Sequence, residues 1–90
     1  MMDEIDNFFR AIKMKISITY CTVWNYHPRA SRLEETLRKA FDAVIELIPG
    51  TGGIFDVTVD GKLLFCKAKE GRFPDTEEII NLIKRSFSSH

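Results

Sequence analysis

The chain has 90 residues, of which 44% are hydrophobic, and its 13 basic and 13 acidic residues give a formal net charge of zero. This length fits one domain, and the balanced charge argues against a nucleic-acid-binding protein, which would need an excess of basic residues. The basic clusters Lys67–Lys69 and Lys84–Arg85 are interpreted as the solvated ends of elements.

Targeting and redox compartment follow from what the chain lacks. No apolar run approaches the roughly 20 residues of a membrane helix, and the acidic N-terminus is unlike a signal peptide. We therefore expect a cytoplasmic protein without membrane contact, in which Cys21 and Cys66 are reduced thiols. The two Cys and two His lack metal-ligand spacing, so no metal site is predicted.

Residues 1–13 are predicted to be an N-terminal extension that precedes the main domain, residues 14–90. Four apolar residues in it have the spacing of one face of an amphipathic helix: Ile5, Phe8, Phe9 and Ile12. Two interpretations stay open. The helix docks on a partner, or it packs on its own domain as an extension.

The first half of the main domain predicts a strand, a helix and a second strand. Residues 15–20 alternate polar and apolar side chains, as in a strand, and residues 21–27 show no periodicity and predict a loop. Pro28 suits the first turn of a helix, which the apolar spacing extends to about Asp42. Residues 44–48 form a short β-branched strand, which Pro49 and the glycines after it end.

The second half predicts a hairpin and a last helix. Residues 54–59 and 62–67 are strand-like and flank Asp60-Gly61, the preferred pair for a type I′ turn. This turn would pair Val59 with Lys62, Val57 with Leu64, and Phe55 with Cys66. These partners share a face, so Cys66 is expected to be mainly a core residue. After a loop over residues 71–74, Asp75 and Glu78 resemble a capping box.

The order is therefore β-α-β-β-β-α, with a parallel and right-handed connection between the first two strands. The expected fold is an α+β two-layer domain, thioredoxin-like in outline, with a mixed four-stranded sheet. The first strand of the hairpin should lie antiparallel to the first strand of the chain. Cys21 and Cys66 would then lie two strands apart, roughly 10 Å, which exceeds the ~7 Å limit for a disulfide.

The candidate nucleophile is Cys21, at the point where the first strand leads through a loop into a helix. Positive charge and free N–H groups at a helix N-terminus favour a thiolate over a thiol. Because the regular helix begins only near Pro28, this effect depends on whether the loop folds back towards the sulfur. His27 could act as a base, but a capping or solvated role is the favoured interpretation.

Four segments resemble the selenoprotein W-like (Rdx) family, which includes the SelT, SelW and SelH groups. The redox segment is residues 20–26 (YCTVWNY), and the glycine-rich entry to the hairpin is residues 50–57 (GTGGIFDV). Residues 60–63 (DGKL) and 70–74 (EGRFP) complete the pattern. The resemblance implies a thioredoxin-like fold and thiol or selenol redox chemistry, often linked to glutathione, without a metal or another cofactor.

One position departs from the family pattern. The family carries Cys-x-x-Cys or Cys-x-x-selenocysteine, whereas Trp24 occupies the second redox position here. Without a neighbouring thiol, Cys21 would form a mixed disulfide that only glutathione or another external thiol can release. The expected partners are therefore glutathione or protein thiols. Predicted contact residues for such a partner lie on two loops: Thr22, Val23 and Trp24, and Thr51, Gly52 and Gly53.

Three functional hypotheses remain open at this point. The leading one is a redox protein that acts through the single thiol Cys21. The alternative is a non-catalytic thioredoxin-like binding module that has lost the redox chemistry, which the tryptophan at position 24 favours. The third is a selenium-handling or oxidant-sensing role, in which a sulfenic acid at Cys21 pairs two chains.

Overall fold

The computed structural model describes residues 14–88, with side chains up to Ser86, so the helix predicted over residues 1–13 lies outside the described residues. The elements in chain order are β1 (Met14–Cys21), α1 (His27–Ala40), β2 (Ala43–Gly50), β3 (Phe55–Val59), β4 (Lys62–Cys66), α2 (Lys67–Glu70) and α3 (Thr76–Ser88). The predicted β-α-β-β-β-α order is confirmed, with the one-turn helix α2 added. Lys67 begins this helix, so the prediction that it ends the last strand was wrong.

The four strands form one mixed sheet in the order β2-β1-β3-β4. β1 and β2 are parallel, and β3 lies antiparallel to β1, both as predicted. Since β3 begins where β1 and β2 end, three chain segments meet at one edge of the sheet: the end of β1, the end of β2 and the residues before β3. This edge carries the candidate thiol.

Helices α1 and α3 pack with alternate residues of the strands in one continuous core. Along β1 the core side chains are Ile16, Ile18 and Tyr20, as the alternating pattern predicts. Helix α3 adds Ile79 and Ile83, which are fully buried, and each contributes about 1.5–3 kcal/mol by leaving water. Among the helices of residues 14–88, none has the length and apolar character to cross a membrane.

The β3–β4 turn has the predicted conformation. Asp60 has φ 50° and Gly61 has φ 83°, so both central residues are left-handed, as a type I′ turn requires. The predicted pairing of Val59 with Lys62 is confirmed. In addition, the Asp60 carboxylate accepts a hydrogen bond from the Lys15 N–H at 2.9 Å, which ties this turn to the start of β1.

Further along the hairpin, the predicted register was wrong because β4 contains a bulge. Val57 pairs with Phe65 and not with Leu64, and Cys66 pairs with Asp56. One extra residue in a strand exchanges the faces of all residues beyond it. Phe65 is therefore the buried core residue, and Cys66 is only half-buried and lies outside the core. The prediction that Cys66 fills the core was wrong.

An ion pair between two residues holds the loop before α3. The Arg72 guanidinium donates two hydrogen bonds to the Glu78 carboxylate, at 2.8 and 2.7 Å. This pairing lowers the pKa of Glu78. Glu78 also accepts the Asp75 N–H at 3.3 Å, which is the glutamate half of the predicted capping box. The loop therefore holds Phe73 in a defined place beside α1.

Candidate functional site

Cys21 is the last residue of β1 and lies between two loops. It pairs with Gly50 at the end of β2, and its N–H donates to the Ile54 carbonyl at 2.9 Å. These contacts place the thiol between the β1–α1 loop and the β2–β3 loop. The residue has no exposed surface. The sulfur is thus enclosed by backbone at the sheet edge and does not stand free in a cleft.

The β1–α1 loop folds back onto Cys21. The Asn25 N–H donates to the Thr22 carbonyl at 3.2 Å, and the Tyr26 N–H donates to the Cys21 carbonyl at 3.1 Å. Asn25 makes this turn with φ 58°, a left-handed conformation that asparagine tolerates well. The loop thus folds back towards Cys21, a point that the sequence alone left open. The loop itself, before α1 begins, brings N–H groups to the sulfur.

These N–H groups decide the ionisation of Cys21. Burial is the largest single influence and raises the pKa of the thiol, because it disfavours the charged form. Hydrogen bonds from the backbone N–H groups of Trp24, Gly53 and Val23 act in the opposite direction, as does the positive charge of Lys67. Together they outweigh burial, and the pKa of Cys21 is lowered from its ordinary value. The site therefore stabilises the thiolate relative to an ordinary cysteine.

Gly53 and Trp24 depend on each other. Gly53 has φ 75°, which favours glycine, and a Cβ built on it would lie 3.3 Å from the Trp24 ring. The indole thus packs directly on the Gly53 backbone. Because the backbone N–H groups of both residues lower the pKa of Cys21, this contact joins the two loops at the thiol.

The other predicted partner-contact residues lie around the thiol. Val23 and Trp24 are large apolar side chains with 75% and 62% of their surfaces exposed, and Thr22 is exposed as well. Thr51 and Gly52 are exposed on the β2–β3 loop, but the hydrogen bond to the sulfur from that loop comes from Gly53. The two loops are brought together as expected, with Gly53 as the contributing residue of the second loop.

Several residues of the site were not predicted. Lys67 was interpreted as a solvated strand end, yet its charge acts on Cys21 and its Nζ lies 5.6 Å from the centre of the Tyr26 ring. Tyr26 in turn packs edge-on against Phe73, with 4.7 Å between ring centres. Sequence spacing carries no signal for this group, because its members come from the β1–α1 loop, α2 and the loop before α3. His27, which the sequence analysis considered as a base, is exposed and packs edge-on against Tyr20, with 5.4 Å between ring centres.

Cys66 lies away from this site. It pairs with Asp56, which pairs with Thr19, so it lies two strands across from Cys21 and two residues back along the sheet. At about 4.8 Å per strand and 3.3 Å per residue, the separation is roughly 12 Å, well beyond a disulfide. Within residues 14–88, no three His, Cys, Asp or Glu side chains come together as metal ligands.

Comparisons with known proteins agree with the resemblance. Residues 15–85 match the model of the Rdx family. Selenoprotein W of Mus musculus is 31% identical over 68 residues, which cover 71% of this chain and 77% of that protein. Selenoprotein W of Gallus gallus is 32% identical over 69 residues, which cover 71% and 80%.

A solved structure has the same fold. The crystal structure of a selenoprotein W-related protein from Vibrio cholerae superposes with a TM-score of 0.77 at 28% identity, and the match covers 80% of this chain and 94% of the other. The predicted thioredoxin-like fold is therefore confirmed. The chain belongs to the Rdx family of selenoprotein W-like proteins, a membership that indicates a redox-related role.

Proposed function

We propose that this chain is a cytoplasmic thiol redox protein in which Cys21 forms reversible mixed disulfides with glutathione or with protein thiols. One arrangement carries the proposal: two loops close around Cys21, and their backbone N–H groups lower the pKa of its thiol. Such donors stabilise the thiolate, which is the nucleophile of thiol–disulfide exchange.

The reaction consists of two exchanges at one sulfur. The Cys21 thiolate attacks one sulfur of a partner disulfide and forms a mixed disulfide, while the other partner sulfur leaves as a thiolate and takes a proton from water. An external thiolate then attacks the partner sulfur of the mixed disulfide. This step releases Cys21 as a thiolate and leaves the partner joined to the external thiol. Each exchange breaks one S–S bond and forms one.

The external thiol is needed because the described part of the chain holds no second thiol within reach of Cys21. Trp24 occupies the nearby position, and Cys66 is roughly 12 Å away by the strand spacing. Glutathione suits this role as the abundant cytoplasmic thiol. The partner would contact the two loops that flank the sulfur, through Thr22, Val23, Trp24, Thr51, Gly52 and Gly53.

A second candidate is favoured by a specific observation. Cys21 has no exposed surface, whereas Val23 and Trp24 beside it present most of their apolar surfaces to solvent. A binding module that has lost redox chemistry would have this combination. In the redox protein, by contrast, the loops around Cys21 must open before a partner reaches the sulfur.

Alkylation of Cys21 as a function of pH separates the two candidates. The experiment uses the full chain with Cys66→Ser, and intact mass confirms a single adduct. Because the pKa of Cys21 is lowered, its thiolate persists to lower pH than an ordinary thiolate. We expect the midpoint of the labelling rate to lie clearly below the free-thiol value of about 8.5.

The matched control carries Cys21→Ser and keeps Cys66, so that it reports the labelling of the other thiol alone. A midpoint of Cys21 at or above about 8.5, or labelling only after unfolding, would contradict the redox function and leave the binding module. Incubation with oxidised glutathione should add one glutathione to the Cys66→Ser chain and none to a chain that carries both Cys21→Ser and Cys66→Ser.

A further inference from the structure

A group of cationic side chains stacked on aromatic rings lies next to the β1–α1 loop. The Arg29 guanidinium carbon lies 4.0 Å from the centre of the Phe73 ring, and Lys67 Nζ lies 5.3 Å from the same centre. Lys67 also lies near the Tyr26 ring. Both distances are within the range of cation–π contact. The positive charges of Arg29 on α1 and Lys67 on α2 thus lie over two aromatic rings. The β1–α1 loop supplies one ring, and the loop before α3 supplies the other.

A small pocket opens on this group. It has a volume of about 160 Å³, and Leu33, Phe55 and Phe73 supply its apolar lining. Arg29 and Arg32 line it with positive charge, and Asp75 is the single carboxylate among its lining residues. Neither arginine forms an ion pair with another described residue. The pocket therefore has an excess of positive charge that the described part of the protein does not neutralise.

The pocket is connected to Cys21 by short contacts. The Tyr26 N–H donates to the Cys21 carbonyl, and the Tyr26 ring packs on Phe73 in the pocket wall. Lys67 lies beside both rings, and its charge acts on Cys21. An extended tripeptide spans about 10 Å. A peptide whose sulfur is joined to Cys21 would follow these contacts to place its end at the pocket.

We propose that the pocket of Arg29 and Arg32 binds a carboxylate of the peptide that forms the mixed disulfide with Cys21. The site thereby prefers acidic peptide disulfides over neutral or cationic ones. The volume fits one carboxylate-bearing residue, and it is smaller than the roughly 300 Å³ of ordinary small-molecule sites. Guanidinium groups suit a carboxylate because they donate in a planar, paired geometry. This inference rests on the proposed function and names the chemistry of its partner.

The test compares three disulfides on the same protein: oxidised glutathione, which carries carboxylates at both ends, neutral hydroxyethyl disulfide, and cationic cystamine. Rates of mixed-disulfide formation are measured by intact mass on the Cys66→Ser chain with and without Arg29→Gln and Arg32→Gln. The ratio of variant to parent for each reagent removes differences in reagent chemistry. The matched control is Arg38→Gln, which changes an exposed arginine of the same helix that pairs with Glu34.

We expect the double variant to react about three- to tenfold more slowly with oxidised glutathione, as the loss of two exposed charge contacts predicts. Its rate with hydroxyethyl disulfide should stay the same, and its rate with cystamine should stay the same or rise. The parent rate with oxidised glutathione should also fall with added salt, since screening weakens the contact. Arg38→Gln should change none of these ratios.

An equal fall with all three reagents, or no fall with any acidic disulfide, would overturn the carboxylate site. Failure of the parent chain to react even with the neutral disulfide would instead contradict the proposed function. A second pair of reagents identifies the source of the carboxylate. These are disulfides of five-residue peptides in which the residues that flank the cysteine are either acidic or glutamine. A charge effect with oxidised glutathione assigns the site to the small peptide, and an effect only with the longer peptide assigns it to a protein segment.

Discussion

Cys21 and Cys66 each end a strand of the same sheet, yet their surroundings differ. Cys21 has no exposed surface, and backbone N–H groups from two loops lower the pKa of its thiol. Cys66 is half-buried on β4, which is an edge strand, and it leads directly into the short helix α2. The more exposed thiol is the one without these donors.

The comparison shows that convergent N–H groups lower the pKa of a thiol even where the residue has no exposed surface. At Cys21 the end of β1, a folded-back loop and a glycine with positive φ meet at one edge of the sheet. At Cys66 the bulge in β4 has turned the side chain away from the core. The following predictions test this difference, beginning with the largest expected effect.

Phe65→Ala tests the bulge that separates Cys66 from the core. Phe65 is 3% exposed, so its removal should lower the free energy of unfolding by about 3–5 kcal/mol, measured by chemical denaturation. Leu64→Ala is the control. It should cost clearly less, because Leu64 is only half-buried against the core. A larger loss of stability in Leu64→Ala than in Phe65→Ala would indicate a register without the bulge, in which Cys66 lies in the core.

Trp24→Cys tests whether the missing thiol makes Cys21 dependent on an external one. A thiol at position 24 would attack the mixed disulfide from within the chain, with an effective concentration on the order of millimolar. Compared with roughly 10 µM of external thiol, it should therefore release the partner ~100-fold faster. The lifetime is followed by intact mass after quenching. Trp24→Ser opens the same space without a thiol and should leave the lifetime dependent on added thiol. Equal lifetimes in the two variants would mean that position 24 does not reach the Cys21 sulfur.

Gly53→Ala tests the contact that joins the two loops at Cys21. Alanine at φ 75° should cost about 1–2 kcal/mol in unfolding free energy, and its Cβ would crowd the Trp24 ring. Displaced N–H groups stabilise the thiolate less, so the labelling midpoint of Cys21 should move to higher pH. Gly52→Ala carries the same backbone cost at φ 71° with nothing within 4 Å of the Cβ. If both variants shift the midpoint equally, the Trp24 contact is not what positions the donors.

Local patterns predicted most of the fold and the position of the thiol. Strand alternation, Pro28 and the Asp60-Gly61 turn each act within a few residues, so their consequences can be derived from the chain alone. The location of Cys21 between two loops followed from strand order. The β4 bulge could not be derived in the same way, because Phe65 and Leu64 are both apolar and the choice between them depends on packing.

The sequence by itself determined that one mixed sheet carries Cys21 at the end of its first strand, with a tryptophan where a second thiol is expected. Only the tertiary structure decided what surrounds the sulfur. The donors of Trp24 and Gly53, the charge of Lys67 and the rings of Tyr26 and Phe73 come from segments far apart in the chain. Their convergence depends on how loops close over the sheet edge, and residue periodicity does not encode that geometry.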